Sequence, residues 1–248
     1  DAEGSSFLTH AANVLPATLL GWHYRSRFET LIGFSNAAFY RGRLLTVPDA
    51  ALMPEGLGEI VVGAPEAGEE RVADLVARGV SFHHLHGAVY RNRRNETEAK
   101  YVAHLVRGLL RGGSRKTVGI VAFSEAQQDE IDSALSELAR ADAEFGEKLE
   151  AEYDREEDGQ YVGLLVKNLE NIQGDERDVV ILSVCYGPGP DGKMLMNFGP
   201  INQEGGEKRL NVAFSRAKQH MAVVSSIRHE RITNVYNDGA NCLRNYLK

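Results

Sequence analysis

This chain of 248 residues lacks a phosphate-binding loop: no GxxxxGK[ST] pattern occurs in it. Gly112–Gly113–Ser114–Arg115–Lys116 is only superficially similar, since its order is wrong and it precedes an apolar strand instead of following one. An acidic pair after an apolar strand is also missing, so no magnesium site of that type is offered. Two cysteines, Cys185 and Cys242, are too few for a disulfide framework and suit a reducing compartment such as the cytoplasm. There is no run of about eighteen apolar residues, which sets aside a membrane span, and no basic and apolar leader. The sequence begins at Asp1, as expected of an excised domain. His83, His84 and His86 fall in one strand pattern, where only His84 and His86 share a face, so no metal site is expected. An excess of positive charge is lacking too, at −7 net, which taken alone argues against a broad nucleic-acid footprint.

What is present reads as one folded unit. Hydrophobic content of 43% and charged content of 25% are ordinary for a domain with a real core. Strand and helix patterns alternate, which favours an α/β fold with a parallel sheet covered by helices on both faces. Strands are expected at Ala17–Trp22, Val80–His86, Thr117–Phe123, Tyr161–Val166, Asp178–Val184 and His220–Ser225. Helices are expected over Arg27–Tyr40, Asn95–Leu110, Ser124 to about Arg140, and the stretch carrying Arg216. Ser124 and Gln127 have the spacing of a capping box. Residues 1–248 form a single domain in this reading, with an irregular insertion at about 41–79 and an acidic connector at about 141–160. Charge is uneven along it: 55–70 and 142–158 are acidic, while Arg91–Arg94 and Arg107–Lys116 are basic. Arg91–Arg94 reads either as a nucleic-acid backbone contact or as an exposed loop.

Three segments carry chemistry. Arg209 and Arg216, in RLNVAFSRAK, stand seven residues apart, which on a helix puts both guanidinium groups on one face. They suit charge developing on a transferring phosphoryl group, or else surface ion pairs with Glu204 and Glu207. The turn Gln173–Gly174–Asp175–Glu176 opens the apolar run DVVILSV, where amide and carboxylate groups could meet a ribose or phosphate, or form an ordinary turn. Trp22–Arg27 reads WHYRSR, where Tyr24 fits core packing beneath the first strand. In open α/β sheets, sites lie at the carboxyl ends of strands, and both the Tyr24–Arg25 pair and the Ser124–Gln127 turn are expected there.

In order and spacing, Tyr24–Arg25–Ser26, Gln173–Gly174–Asp175–Glu176 and Leu210–Lys218 resemble the second RecA-like motor domain of superfamily 1 helicases, in the branch of the nonsense-mediated-decay RNA helicase. VGIVAFSEAQ at Val118–Gln127 is similar to that family's strand ending in a TPYxxQ turn, and the resemblance runs from about Leu15 to about Ser226. It implies a RecA-like P-loop NTPase fold in which Arg25 and Arg216 are catalytic. Tyr24, Gln173, Gly174, Glu176 and Arg209 would bind the nucleotide, and Ser124, Gln127 and Asn168 would contact single-stranded DNA or RNA. ATP and Mg2+ are the implied cofactors, with Mg2+ held by an N-terminal RecA-like domain of the same full-length chain, the implied partner. The fragment alone would then be inactive. The departures are Ser215 in place of threonine, and Ala122–Phe123–Ser124 in place of Thr–Pro–Tyr. A degenerate helicase-like scaffold without ATPase activity is the other reading of the same motifs.

Overall fold

A computed structural model describes residues 7–16, 18, 20–49 and 58–248. In chain order it contains α1 (Phe7–Val14), α2 (Thr30–Tyr40), β1 (Ile60–Val62), α3 (Val72–Val76), β2 (Val80–Leu85) and α4 (Glu96–Arg111). Next come β3 (Val118–Ala122), α5 (Glu125–Ala141), α6 (Ala143–Tyr153), β4 (Glu156–Glu157), β5 (Gln160–Tyr161), β6 (Leu165–Asn168) and β7 (Arg177–Ser183). The chain finishes with α7 (Gly206–Phe214), β8 (Ala217–Ser225) and α8 (Asp238–Tyr246).

Six strands form one parallel sheet in the order β1-β2-β8-β7-β3-β6, and β4 with β5 makes a separate small hairpin. The central strands are apolar at successive positions because both faces are covered. Val179 and Ile181 of β7, with Ala222 and Val224 of β8, pack into a core that includes Leu105, Leu109, Ile131 and Phe145 from α4, α5 and α6. The alternate residues Val180, Leu182, Met221 and Val223 enter a second core with Leu31, Leu210, Phe214 and Leu243 from α2, α7 and α8. Burying a side chain of this size is worth roughly 1.5–3 kcal/mol, so this two-sided burial fixes the register that places the sheet's two rims.

Several expectations change. The expected strand Ala17–Trp22 lies partly outside the described residues, and its described part contributes one bridge, between Trp22 and Leu45. Leu20 and Trp22 are exposed, so no sheet face holds them. The stretch at about 41–79 is partly regular: Ile60 and Val62 turn inward and β1 becomes the sheet edge. The acidic connector contains α6, capped by Asp142 and anchored by buried Phe145 and Leu149. Tyr161 belongs to the small hairpin, and the sheet strand begins at Leu165.

Candidate functional site

Three distant segments meet at the amino ends of β7 and β8. The turn 173–176 enters β7, the link 215–216 joins α7 to β8, and residues 23–27 cross the same rim. Backbone bonds tie them: Arg27 N–H donates to Lys218 O at 2.8 Å, and Arg177 N–H donates to Arg216 O at 3.3 Å. Ser26 Oγ donates to Ala217 O at 3.1 Å. Gly174 holds φ +95°, a backbone that L side chains rarely adopt, and this lets the chain reverse into β7.

This frame brings Arg25, Glu176 and Lys218 into one ionic cluster. Arg25 Nε lies 2.5 Å from Glu176 Oε2, and Lys218 Nζ lies 3.2 Å from Glu176 Oε1. Arg25 also donates to Ser215 O at 3.3 Å. Burial pushes the Glu176 carboxyl up, but hydrogen bonds from Arg25 and Lys218 outweigh it and hold the group below the usual carboxylate range. Arg216 sits beside them, largely buried, with Nε donating to Val212 O at 2.7 Å and Nη2 to Ser215 Oγ at 3.0 Å. Burial first, and then the Arg25 charge, lower the Arg216 guanidinium from its ordinary value, and the same two causes, with Arg216, lower His23. Arg25, Lys218 and Arg216 thus gather around the single carboxylate of Glu176, which Arg25 and Lys218 share, and leave surplus positive charge on this rim. Tyr24 is 77% exposed with the Arg25 guanidinium 5.5 Å from its ring centroid, so it is not core packing.

The sequence misplaced two features. Helix α7 ends at Phe214, so Arg216 lies in the link to β8 and shares no helical face with Arg209. Arg209 instead donates to the Glu204 backbone carbonyl at 3.1 Å, within the approach to α7. The second correction is the rim: Tyr24 and Arg25 follow no sheet strand and stand at the amino ends, opposite the edge expected for them. Gln173 is exposed beside Gly174 in the turn leading to Glu176.

Ser124 and Asn168 do occupy the carboxyl rim. Ser124 caps α5, accepting from Gln127 N–H at 3.1 Å and donating to Arg93 O at 2.6 Å. Asn168, at the end of β6, donates to Gln128 Oε1 at 3.0 Å and is half-buried. Gln127 is turned inward and fully buried. Its amide accepts from Asn95 N–H at 2.7 Å and donates to Asn95 O at 3.2 Å and Ser183 Oγ at 3.0 Å. With those groups satisfied it shapes the turn and does not reach a ligand. His83 is buried between Ser81 and Tyr101, 2.8 and 2.6 Å away. Among the described residues no group of three His, Cys, Asp or Glu side chains has the geometry to hold a metal ion. Nor is any described helix long and apolar enough to cross a membrane.

Comparison with known proteins places this geometry. The model of a family described as an AAA domain matches residues 4–228. The chain belongs to this AAA domain family. Two curated relatives are named as an uncharacterized ATP-dependent helicase of Mycoplasma genitalium and its homologue in Mycoplasma pneumoniae. They are 31% identical over 226 and 224 residues, covering 90% of this chain in each case. The chain spans 17% of the length of each. A solved structure described as the C-terminal domain of a possible DNA helicase from Lactobacillus plantarum aligns at 17% identity and a TM-score of 0.32, over 68% of this chain and 87% of that one.

The parallel sheet with helices on both faces gives this AAA domain an α/β fold. Two of its polar residues escaped the motif reading. Lys218 lies inside a motif segment yet was not singled out, although it is the second cation on Glu176. Glu98 is fully buried at the carboxyl rim, accepting from Cys185 N–H at 2.8 Å, Ser226 N–H at 2.9 Å, Ser226 Oγ at 2.6 Å and Ser183 Oγ at 3.1 Å. The spacing Asn95-x-x-Glu98 ahead of an apolar helix was the available signal, since Asn95 caps α4 by accepting from Glu98 N–H at 3.1 Å.

Proposed function

We propose that this AAA domain is the second motor domain of an ATP-dependent superfamily 1 helicase or translocase, completing an ATP site whose phosphate loop and Mg2+ ligands lie on a separate N-terminal RecA-like domain. The observation that carries the reading is the meeting of Arg25, Glu176, Arg216 and Lys218, drawn from three segments far apart in sequence, on one rim beside exposed Tyr24. Those groups suit the parts of a nucleoside triphosphate: cations for phosphate oxygens, a carboxylate for ribose hydroxyls, an open aromatic ring for the base.

The chemistry assigned to each group follows from its environment. Arg216 is held by acceptors on Val212 and Ser215, so its guanidinium is oriented before any ligand arrives. Preorganised donors of this kind stabilise charge as it develops in the transition state, because no reorganisation is needed at that moment. Arg25 is engaged with Glu176, and a phosphate competing for it would leave Glu176 on Lys218, with one oxygen free to accept a ribose hydroxyl. The Gln173–Gly174 backbone leads into this arrangement, whereas Arg209 donates to Glu204 O on the approach to α7 and its nucleotide role rests on the motif alone. Ser124 and Asn168, on the opposite rim, are the contacts assigned to single-stranded DNA or RNA, so nucleotide-driven closure at one end of the strands would move a nucleic-acid surface at the other.

The test is Arg216→Ala in a protein that carries this chain together with its nucleotide-holding domain. Steady-state ATP turnover is expected to fall by a factor on the order of a thousand, with a much smaller change in nucleotide affinity. Turnover at the wild-type rate would overturn the assignment and leave the scaffold reading in its place.

A further inference from the structure

The carboxyl rim carries a feature that none of the motifs absorbed. Between Tyr90 and Asn95 the chain makes a tight reversal, with Arg91 and Arg94 paired across it by reciprocal backbone bonds of 2.9 and 3.1 Å. Both tip residues are left-handed, Asn92 at φ 53° and Arg93 at φ 62°. Asparagine tolerates that conformation, whereas an arginine there is strained, and glycine would be the unstrained choice. Strain of this sort persists where the surroundings over-determine it.

The surroundings do so here. Tyr90 N–H donates to Pro188 O at 2.9 Å, and Arg93 O accepts from Ser124 Oγ at 2.6 Å. Below them Asn95 is wholly buried, bonded through its backbone to Gln127 and through its side chain to Ser226 Oγ at 2.7 Å. Arg94 is neutralised by Glu130 at 2.9 Å. Arg91 and Arg93 are exposed and have no carboxylate partner among the described residues, although Glu96 and Glu125 stand in the first turns of the adjacent helices. A rigid base thus presents two unpaired guanidinium groups next to Ser124.

We propose that Arg91 and Arg93 form a phosphate clamp for the backbone of single-stranded nucleic acid, extending the Ser124–Asn168 track toward β7; this rests on the reading of the domain as a nucleic-acid motor. Guanidinium groups suit phosphate oxygens through paired N–H donors, and the contact reads no base. The clamp explains how a chain of net charge −7 can hold a polyanion: the positive charge is concentrated at one turn.

Fluorescence anisotropy of labelled dT20 and rU20 oligonucleotides with this chain, over a range of salt concentrations, tests it. The Arg91→Ala/Arg93→Ala variant is expected to bind on the order of tenfold more weakly per guanidinium lost at ~50 mM salt, and to lower the slope of log K against log salt by about 1.4. Arg93→Gly, which accepts the left-handed backbone, should keep the thermal midpoint and still lose about 0.7 of that slope. Unchanged affinity and slope in both variants would overturn the clamp while leaving the motor reading intact. An equal loss in a charge-matched control, Lys208→Ala/Arg231→Ala, would also overturn it. If the wild-type chain binds neither oligonucleotide at low salt, the track itself fails and the clamp fails with it.

Discussion

The two rims of the sheet each hold one glutamate at the centre of a polar cluster, and the two are built on opposite principles. Glu176, at the amino rim, is partly exposed and held by two cations, Arg25 and Lys218. Glu98, at the carboxyl rim, is sealed from solvent and held by backbone N–H and hydroxyl donors. Ion pairs at a surface exchange partners at little cost, because water and other ions compete for both members. A buried carboxylate with five donors, the Asn95 amide among them, locks the ends of β7 and β8 to the start of α4. The same side chain therefore stands in an exchangeable ion pair at one edge and in a fixed network at the other.

The largest effect expected in a test of that contrast is on stability. Glu98→Ala should cost roughly 3 kcal/mol or more, since it leaves Cys185 N–H, Ser226 N–H and two hydroxyls buried without an acceptor. Glu176→Ala should cost well under half as much; equal losses in chemical denaturation would erase the distinction. The pH dependence sharpens it, because the two carboxyls shift in opposite directions. Burial, opposed by the Ser226, Cys185 and Ser183 hydrogen bonds, raises Glu98 from 4.5 to about 7. The folded state then holds that proton more tightly, so the stability linked to Glu98 is greatest below about 4.5 and is lost as pH rises toward 7. Relative to Glu98→Gln, the wild type should lose about 2 kcal/mol between pH 5 and pH 7.5. Glu176 is lowered on folding, so its contribution is present above its ordinary value and lost as pH falls through the depressed one. A wild-type-minus-Glu98→Gln gap that stays flat across that range would contradict the burial argument.

The sequence made one rim far more legible than the other. Tyr24, Arg25, Glu176 and Arg216 stood out because each lies in a short segment, YRS, QGDE or LNVAFSRAK, that can be recognised without knowing its surroundings. The buried network of Glu98, Gln127, Asn95 and Ser226 is closed by tertiary contact between segments up to 131 residues apart, and the one local trace it leaves, Asn95-x-x-Glu98, reads as an ordinary helix cap. Gln127 shows both sides: Ser124 caps α5 on its N–H as the spacing indicates, but its side-chain amide is drawn inward by Asn95 and Ser183, away from the nucleic-acid surface expected for it. Strands buried on both faces were found readily, since β-branched runs such as Val179–Leu182 need no partner to be recognised. The rim of the Arg25 cluster was missed because Trp22 joins no sheet strand, only a bridge to Leu45.

A smaller effect probes the amino-rim cluster itself. In a double-mutant cycle, Arg25→Ala and Glu176→Gln should couple by about 1 kcal/mol, the scale of a partly exposed pair whose side chains are 16% and 31% accessible. Lys218 remains on the carboxylate in the Arg25 variant and limits the loss. Coupling above about 3 kcal/mol would mean that the pair is a structural lock like Glu98, and too costly to open for a phosphate.

The smallest effect falls on Tyr24, and its smallness is the point. At 77% exposure the ring contributes little to the core, so Tyr24→Ala should change stability by no more than about 0.5 kcal/mol. The ring lies beside the Arg25 guanidinium, at 5.5 Å from its centroid. An aromatic left open in this way gains by stacking on another planar group, a contact worth about 0.5–1.5 kcal/mol beyond burial. Adenine-nucleotide affinity of the complete motor should accordingly weaken by up to about tenfold in Tyr24→Ala and be largely kept in Tyr24→Phe, which retains the ring without the hydroxyl. A loss in both variants would trace the effect to the hydroxyl; no loss in either would leave the exposed ring without a nucleotide role and confine the amino rim to phosphate and ribose.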